Sequence, residues 1–209
     1  MTAPGPTPAA SAQGRTGPVV VLVGPPGSGK TSVGTALARR TGHQFRDTDA
    51  DIEATAGRPI PDIFVQDGEP TFRALEREAV AAALSEHPGV LALGGGSILA
   101  AQTRHRLVGY RVVFLSVTMP TGVKRTGLAA NRPLLVGVNP RATYKAMLDA
   151  RQPLYREVAT IVVPTDELTV DEVATAIIDG LGIEPVLQPA PESASDPATD
   201  TAPHTPGTT

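Results

Sequence analysis

The sequence predicts an α/β domain built on a mostly parallel sheet. Short apolar runs rich in β-branched residues alternate with stretches of helical periodicity from residue 18 to residue 183. These runs are apolar throughout rather than alternating, as strands covered on both faces must be. The first run leads into a glycine-rich turn and then a helix, which is the setting a phosphate-binding loop requires.

In order, "VVVLV" (19–23) is the first strand, and residues 31–41 form a helix after the turn. "HQFRD" (43–47) is a weaker strand candidate, and helices follow over 49–57 and 70–86. "GVLAL" (89–93) and "RVVFLSV" (111–117) are strands on either side of a helix over 101–108. Asn139 and Pro140 read as an N-cap and a proline at the first helical position, starting a helix over 140–156. "TIVVP" (160–164) is the last strand. The last helix (169–182) opens with the capping-box pair Thr169 and Glu172 and meets Gly180 near its end.

The two ends differ from this body. Residues 1–17 and 184–209 are dominated by Pro, Ala, Ser and Thr, a composition that buries too little surface to offset ordering entropy, so both are expected to be disordered tails. The folded part, 18–183, is the size of one domain. A net charge of −3 gives no electrostatic footprint for nucleic acid or an anionic membrane. With no cysteine, disulfides and thiolate metal sites are excluded. The four histidines lack the close pairing of a zinc site. No secretory h-region and no membrane-length apolar run is present, so a soluble cytoplasmic protein is expected.

Chemistry concentrates in a few motifs. "GPPGSGKT" (24–31) satisfies G-x-x-x-x-G-K-S/T through Gly24, Gly29, Lys30 and Thr31. Its glycines let backbone N–H groups converge on an anion at the positive end of the next helix. Lys30 adds a charge for the β- and γ-phosphates, and the Thr31 hydroxyl can ligate Mg²⁺. Gly27, Ser28, Gly29, Lys30, Thr31 and Ser32 are thus the expected phosphate-binding residues.

The acceptor must be read elsewhere. Asp47 and Asp49 in "RDTDAD" stand where a strand gives way to a helix, at the edge where α/β sheets bind ligands. Asp49 reads either as a helix cap or as the group that orients a hydroxyl and accepts its proton, with Asp47 in the metal's outer shell. Gly94, Gly95 and Gly96 end a strand at high entropic cost, which suits close approach of a ligand to the backbone. Arg73, paired with Glu76, and Arg151, one turn before Tyr155, suit bidentate recognition of a carboxylate. "KRTGLAANRPLLVGVNP" (124–140) carries Arg125 and Arg132, and its irregular composition predicts a mobile lid over about 124–139. Arg132 can there neutralise charge on the transferring phosphate.

The ordered set "GPPGSGKT", "DTD", "DIFVQDGEPTFRALE", "LGGG", "NRPLL" and "ARQPLYREVA" resembles the shikimate kinase family over about 18–182. The resemblance implies a P-loop kinase fold, a five-stranded parallel sheet flanked by helices, with a substrate-binding subdomain around 48–76. It implies ATP-dependent, Mg²⁺-assisted phosphorylation of the 3-hydroxyl of shikimate by a monomer. In matching positions, Lys30 contacts phosphates, Thr31 and Asp47 serve the metal, and Asp49 binds the reacting hydroxyl. Arg73, Arg151 and the Gly94–Gly96 backbone hold the substrate, Arg132 acts from the lid, and Arg125 and Pro133 lie near the adenine. One departure stands out: "PTDELT" (164–169) lacks the arginine that relatives often carry there beside the base. The rival readings are a gluconate-type small-molecule kinase, which shares the loop and the size, and a nucleotide-binding module without transfer activity.

Overall fold

The computed structural model describes residues 17–126 and 139–186. Its five strands are β1 (Val20–Val23), β2 (Phe45–Asp47), β3 (Val90–Ala92), β4 (Val112–Ser116) and β5 (Ile161–Pro164). They pair in parallel in the order β2-β3-β1-β4-β5. The expected strands are all present, including the weak second one, each trimmed by a residue or two at its ends.

β1 lies at the centre, and its alternate residues feed two cores. Val20 and Leu22 face a layer with Leu37 and Val33 of α1 (Lys30–Thr41) and Ile177 of α8 (Val170–Leu181). Val21 and Val23 face the opposite layer, with Val80 and Leu84 of α4 (Gly68–Glu86) and Tyr155 of α7 (Pro140–Val158). Each such aliphatic side chain, fully withdrawn from water, contributes about 1.5–3 kcal/mol. The apolar strand runs thus reflect helices on both faces. β5 departs from that pattern: it is an edge strand, and Val162 is left exposed.

A smaller core joins Ile52 of α2 (Thr48–Ala56), Ile63 of α3 (Ile60–Gln66) and Phe72 of α4. Phe64 packs on Phe72 with ring centroids 4.4 Å apart. This second nucleus occupies the stretch expected to form the substrate-binding part.

Several boundaries differ from expectation. α3 and α6 (Met119–Thr126) are helices additional to those the sequence predicts. Pro61 and Pro120 both fall in the first turn, where the missing N–H costs nothing. The expected lid therefore begins as helix at 124–126 and meets the Asn139 cap at its far end, where Asn139 Oδ1 accepts from Ala142 N (3.1 Å). Residues 127–138, with Arg132 and Pro133, lie outside the described residues.

The Thr169–Glu172 capping box is present, but Gly180 lies inside α8; the left-handed cap is Gly182. Residues 184–186 are part of the folded body rather than a tail, since Val186 N donates to Arg40 O (2.9 Å). Residues 1–16 and 187–209 fall outside the described residues. No helix among the described residues is long and apolar enough to cross a membrane.

Candidate functional site

Every predicted motif within the described residues sits at the C-terminal edge of the sheet, where the loops leaving β1 to β5 meet. Between β1 and α1, residues 24–29 make the turn. Gly27 (φ 78°) and Gly29 (φ 88°) adopt left-handed backbone that L side chains rarely accept. Gly29 is the N-cap of α1 and supplies no side-chain cap, so the first-turn N–H groups are offered to the concavity of the loop. Lys30 arches back over the loop, its Nζ donating to Gly24 O (2.8 Å) and Pro25 O (3.3 Å). Ser28 is fully buried, whereas Thr31 and Ser32 are exposed on the first turn.

Thr31 Oγ1 donates to Asp47 Oδ2 (3.1 Å), so the P-loop hydroxyl and the β2 carboxylate lie together. The other Asp47 oxygen, Oδ1, accepts from Asp49 N (3.0 Å) and caps α2. The cap is therefore Asp47 rather than Asp49. On a continuous strand residues 47 and 49 would share one face; they part because β2 ends at Asp47 and helix begins at Thr48. Two hard oxygen donors beside the phosphate loop fit Mg²⁺, which takes one or two protein ligands and completes its shell with phosphates and water. Among the described residues no group of three or more acidic, His or Cys side chains is arranged for a metal.

Asp49 is directed at the glycine turn: a Cβ on Gly94 would collide with Asp49 Oδ1. Next to it, Gly94 N donates to Thr48 Oγ1 (3.0 Å). A Cβ on Gly96 would collide with Arg73 Nη1, and one on Gly95 would press on Pro26 of the phosphate loop at 3.3 Å. None of the three adopts positive φ. These glycines are required for space, and the space is filled largely by the protein's own functional side chains.

Arg73 sits in α4 with its side chain mostly buried, Nη1 donating to Glu76 Oε2 (2.7 Å) and Nη2 to Glu69 Oε1 (3.1 Å). This is no solvated surface pair, because Glu76 is almost fully buried and its second oxygen accepts from Ser97 Oγ (3.0 Å). Burial alone would push the Arg73 guanidinium down, but Glu76 and then Glu69 outweigh it and its pKa lies above the ordinary value. Arg73 is thus a permanent cation in one rotamer. Glu76 and Ser97, which lock it, had only a local signal in the sequence, the i,i+3 spacing of Arg73 and Glu76.

From α7, Arg151 Nη1 (3.1 Å) and Tyr155 OH (2.6 Å) both donate to Gly95 O. Burial pushes the Tyr155 phenol well above its usual range, against the opposing charge of Arg151, so it stays a neutral donor. Arg73 and Arg151 therefore approach the same turn from two helices. On the far side, Arg125 of α6 donates through Nη1 to Thr165 Oγ1 (3.0 Å) and through Nη2 to Thr165 O (2.6 Å). Asp166, where a cation was missed, accepts from Thr118 N (3.0 Å) and Thr118 Oγ1 (2.5 Å). It supports the start of α6.

The arrangement offers an anion cradle, an oxygen pair for a divalent cation, a carboxylate poised at a glycine turn and two arginines beside it. That is the equipment for moving a phosphoryl group onto a small hydroxy acid. Comparison with known proteins gives the same class. The shikimate kinase family model matches residues 26–181. A shikimate kinase of Salinispora arenicola is 62% identical over 160 residues, 77% of this chain and 95% of that protein. One of Saccharopolyspora erythraea is 59% identical over 162 residues, 78% and 93% of the two chains. Among solved structures, Acinetobacter baumannii shikimate kinase in complex with shikimate superposes with a TM-score of 0.75 at 38% identity, covering 78% of this chain and 91% of the other.

Proposed function

The chain belongs to the shikimate kinase family, and from that premise we propose that it transfers the γ-phosphoryl group of ATP to the 3-hydroxyl of shikimate. The observation that carries the reading is the convergence of Asp49, Arg73 and Arg151 on the Gly94–Gly96 turn, directly beside the phosphate loop. Shikimate carries a carboxylate and hydroxyls on a small ring. Arg73 and Arg151 suit the carboxylate by charge-assisted pairing, and Asp49 suits the hydroxyl.

The roles of the residues follow from chemistry. The P-loop N–H groups and Lys30 hold the β- and γ-phosphates. As the hydroxyl oxygen bonds to the γ-phosphorus and the bond to the bridging oxygen of ADP breaks, Asp49 takes the hydroxyl proton. Thr31 and Asp47 would hold Mg²⁺, which supplies charge neutralisation on the phosphates when bound. Arg125, fixed by Thr165, is assigned to the base. Arg132 is assigned to the transferring phosphate and Pro133 to the base from their sequence positions alone. A monomeric, cytoplasmic enzyme is part of this proposal.

A coupled assay with ATP, Mg²⁺ and shikimate should release ADP, and Asp49→Asn should lower kcat about 10²-fold or more, the scale of losing a catalytic base. Turnover of gluconate without turnover of shikimate would overturn the reading. An unchanged kcat in Asp49→Asn would leave the proton without its proposed acceptor.

A further inference from the structure

Helix α7 does more than supply Arg151. Its Tyr144 is buried, and the hydroxyl donates to the carbonyl of Pro26 (2.8 Å), inside the phosphate loop. Its Tyr155, also buried, donates to the carbonyl of Gly95 (2.6 Å), inside the acceptor turn. The two tyrosines are eleven residues apart, a spacing that closes on three helical turns and puts both on one face. The two loops they hold are in contact, Gly95 lying against Pro26. Neither carbonyl belongs to regular secondary structure, so a side chain sets its position rather than a ladder.

The surroundings of Tyr144 are built for this contact. Gly122 of α6 leaves the room that the ring and hydroxyl occupy, since a Cβ there would collide with them. Gly122 O in turn lies against Gly27, where a Cβ would come within 2.9 Å. The ring packs with Val123, Met119, Met147 and Leu148. Phosphate loop, α6 and α7 therefore meet at one hydroxyl. At the other end, Phe114 of β4 stacks on the Tyr155 ring at 4.9 Å, seating that hydroxyl on the sheet.

From these contacts we infer that Tyr144 and Tyr155 are positioning residues that hold the donor loop and the acceptor turn at a fixed mutual distance along α7. Tyr144 sets the loop that carries the nucleotide phosphates, and Tyr155 sets the turn against which the acceptor binds. Phosphoryl transfer is sensitive to the separation of donor and acceptor because its catalysis is mostly positioning. The inference rests on the proposed kinase reading for the identity of the two ligands, and on the structure alone for the two hydroxyl contacts.

Tyrosine-to-phenylalanine variants keep each ring and remove only the hydroxyl. Tyr144→Phe should raise the KM for ATP, and the dissociation constant for ADP measured calorimetrically, about three- to tenfold, the scale of one lost hydrogen bond. Its KM for shikimate should stay within about twofold by the same reckoning. Gly122→Ala, which drives the same hydroxyl off Pro26, should reproduce the ATP-side effect. Tyr155→Phe should show the opposite selectivity, raising the shikimate KM and by a smaller factor, because Arg151 still donates to Gly95 O. A lower folded fraction reduces apparent kcat but neither KM, so the split separates positioning from general loss of structure. KM values that move together, or do not move, overturn the inference. A wild-type protein inactive on shikimate would overturn the kinase reading and leave the ADP comparison with Tyr144→Phe still decisive for the loop.

Discussion

Gly96 has no functional group, yet the Arg73 guanidinium occupies the space that its Cβ would need. The guanidinium is not free to yield cheaply, because Glu76 holds it from a buried position and Ser97 holds Glu76. Truncating one partner of such a buried pair leaves an uncompensated charge, which is far costlier than losing a surface pair. Gly96→Ala is therefore expected to displace Arg73 and raise the KM for shikimate about three- to tenfold, the scale of one weakened charge-assisted bond. The KM for ATP is expected to hold. Steady-state kinetics in both substrates check this; an unchanged shikimate KM would mean that Arg73 does not meet the acceptor. At this scale the sequence was legible wherever chemistry is local. The structure brings the P-loop residues, Asp47, Asp49, Arg73 and Arg151 together around the phosphate loop and the glycine turn. The reason for the three glycines was not legible, because it lies in Asp49 of α2, Arg73 of α4 and Pro26 of the phosphate loop, which only the tertiary fold brings to them.

Helices α6 and α8 show what a local pattern can and cannot reveal about elements. The capping box of α8 was readable because Thr169 and Glu172 satisfy each other within one turn. α6 was not, because its proline and glycine look like loop residues and its start is secured from the loop after β5, by Asp166 accepting from Thr118 N and Oγ1 across 48 residues of chain. Burial tends to raise the Asp166 pKa. The bonds from Thr118 and Thr121 and the Arg125 charge outweigh that and hold it below the usual carboxylate value. A carboxyl depressed on folding stabilises the protein above its unfolded pKa, and that contribution is lost as pH falls through the folded value. Asp166→Ala should cost about 1 kcal/mol at pH 7, as for a lost helix cap, lowering Tm by about 2–4 °C. The difference in Tm should narrow as pH falls through and below the usual carboxylate range. A difference that stays constant down to pH 3 would show that the ionised carboxylate is not what secures α6.

Across the molecule, strand order dictates ligand order. The loops after β2 and β3 carry Asp49 and Gly94–Gly96, the loop after β1 carries the phosphate cradle, and those after β4 and β5 lead to Arg125 and Thr165. With β1 between β3 and β4, the proposed sites run along the edge of the sheet from acceptor through phosphates to base. This is the crevice at a switch in strand order where open α/β sheets bind their ligands. The order of strands in space cannot be read from their order in the chain, so this map needed the fold. It separates the kinetic effects of the two halves. Arg125 is assigned by the proposal to the base half, and its guanidinium is held by two bonds to Thr165. Asp166, Glu167 and Leu168 bring no cation there. Arg125→Ala should raise the KM for ATP about tenfold or more, since a charged or stacked contact exceeds a neutral hydrogen bond. It should leave the shikimate KM within about twofold, because no strand end on the acceptor side is touched. The same titrations with GTP in place of ATP sharpen the test: if Arg125 meets the base, the preference between the two nucleotides changes with its removal. An Arg125→Ala enzyme with unaltered ATP kinetics would place the base elsewhere and break the map at its β4–β5 end.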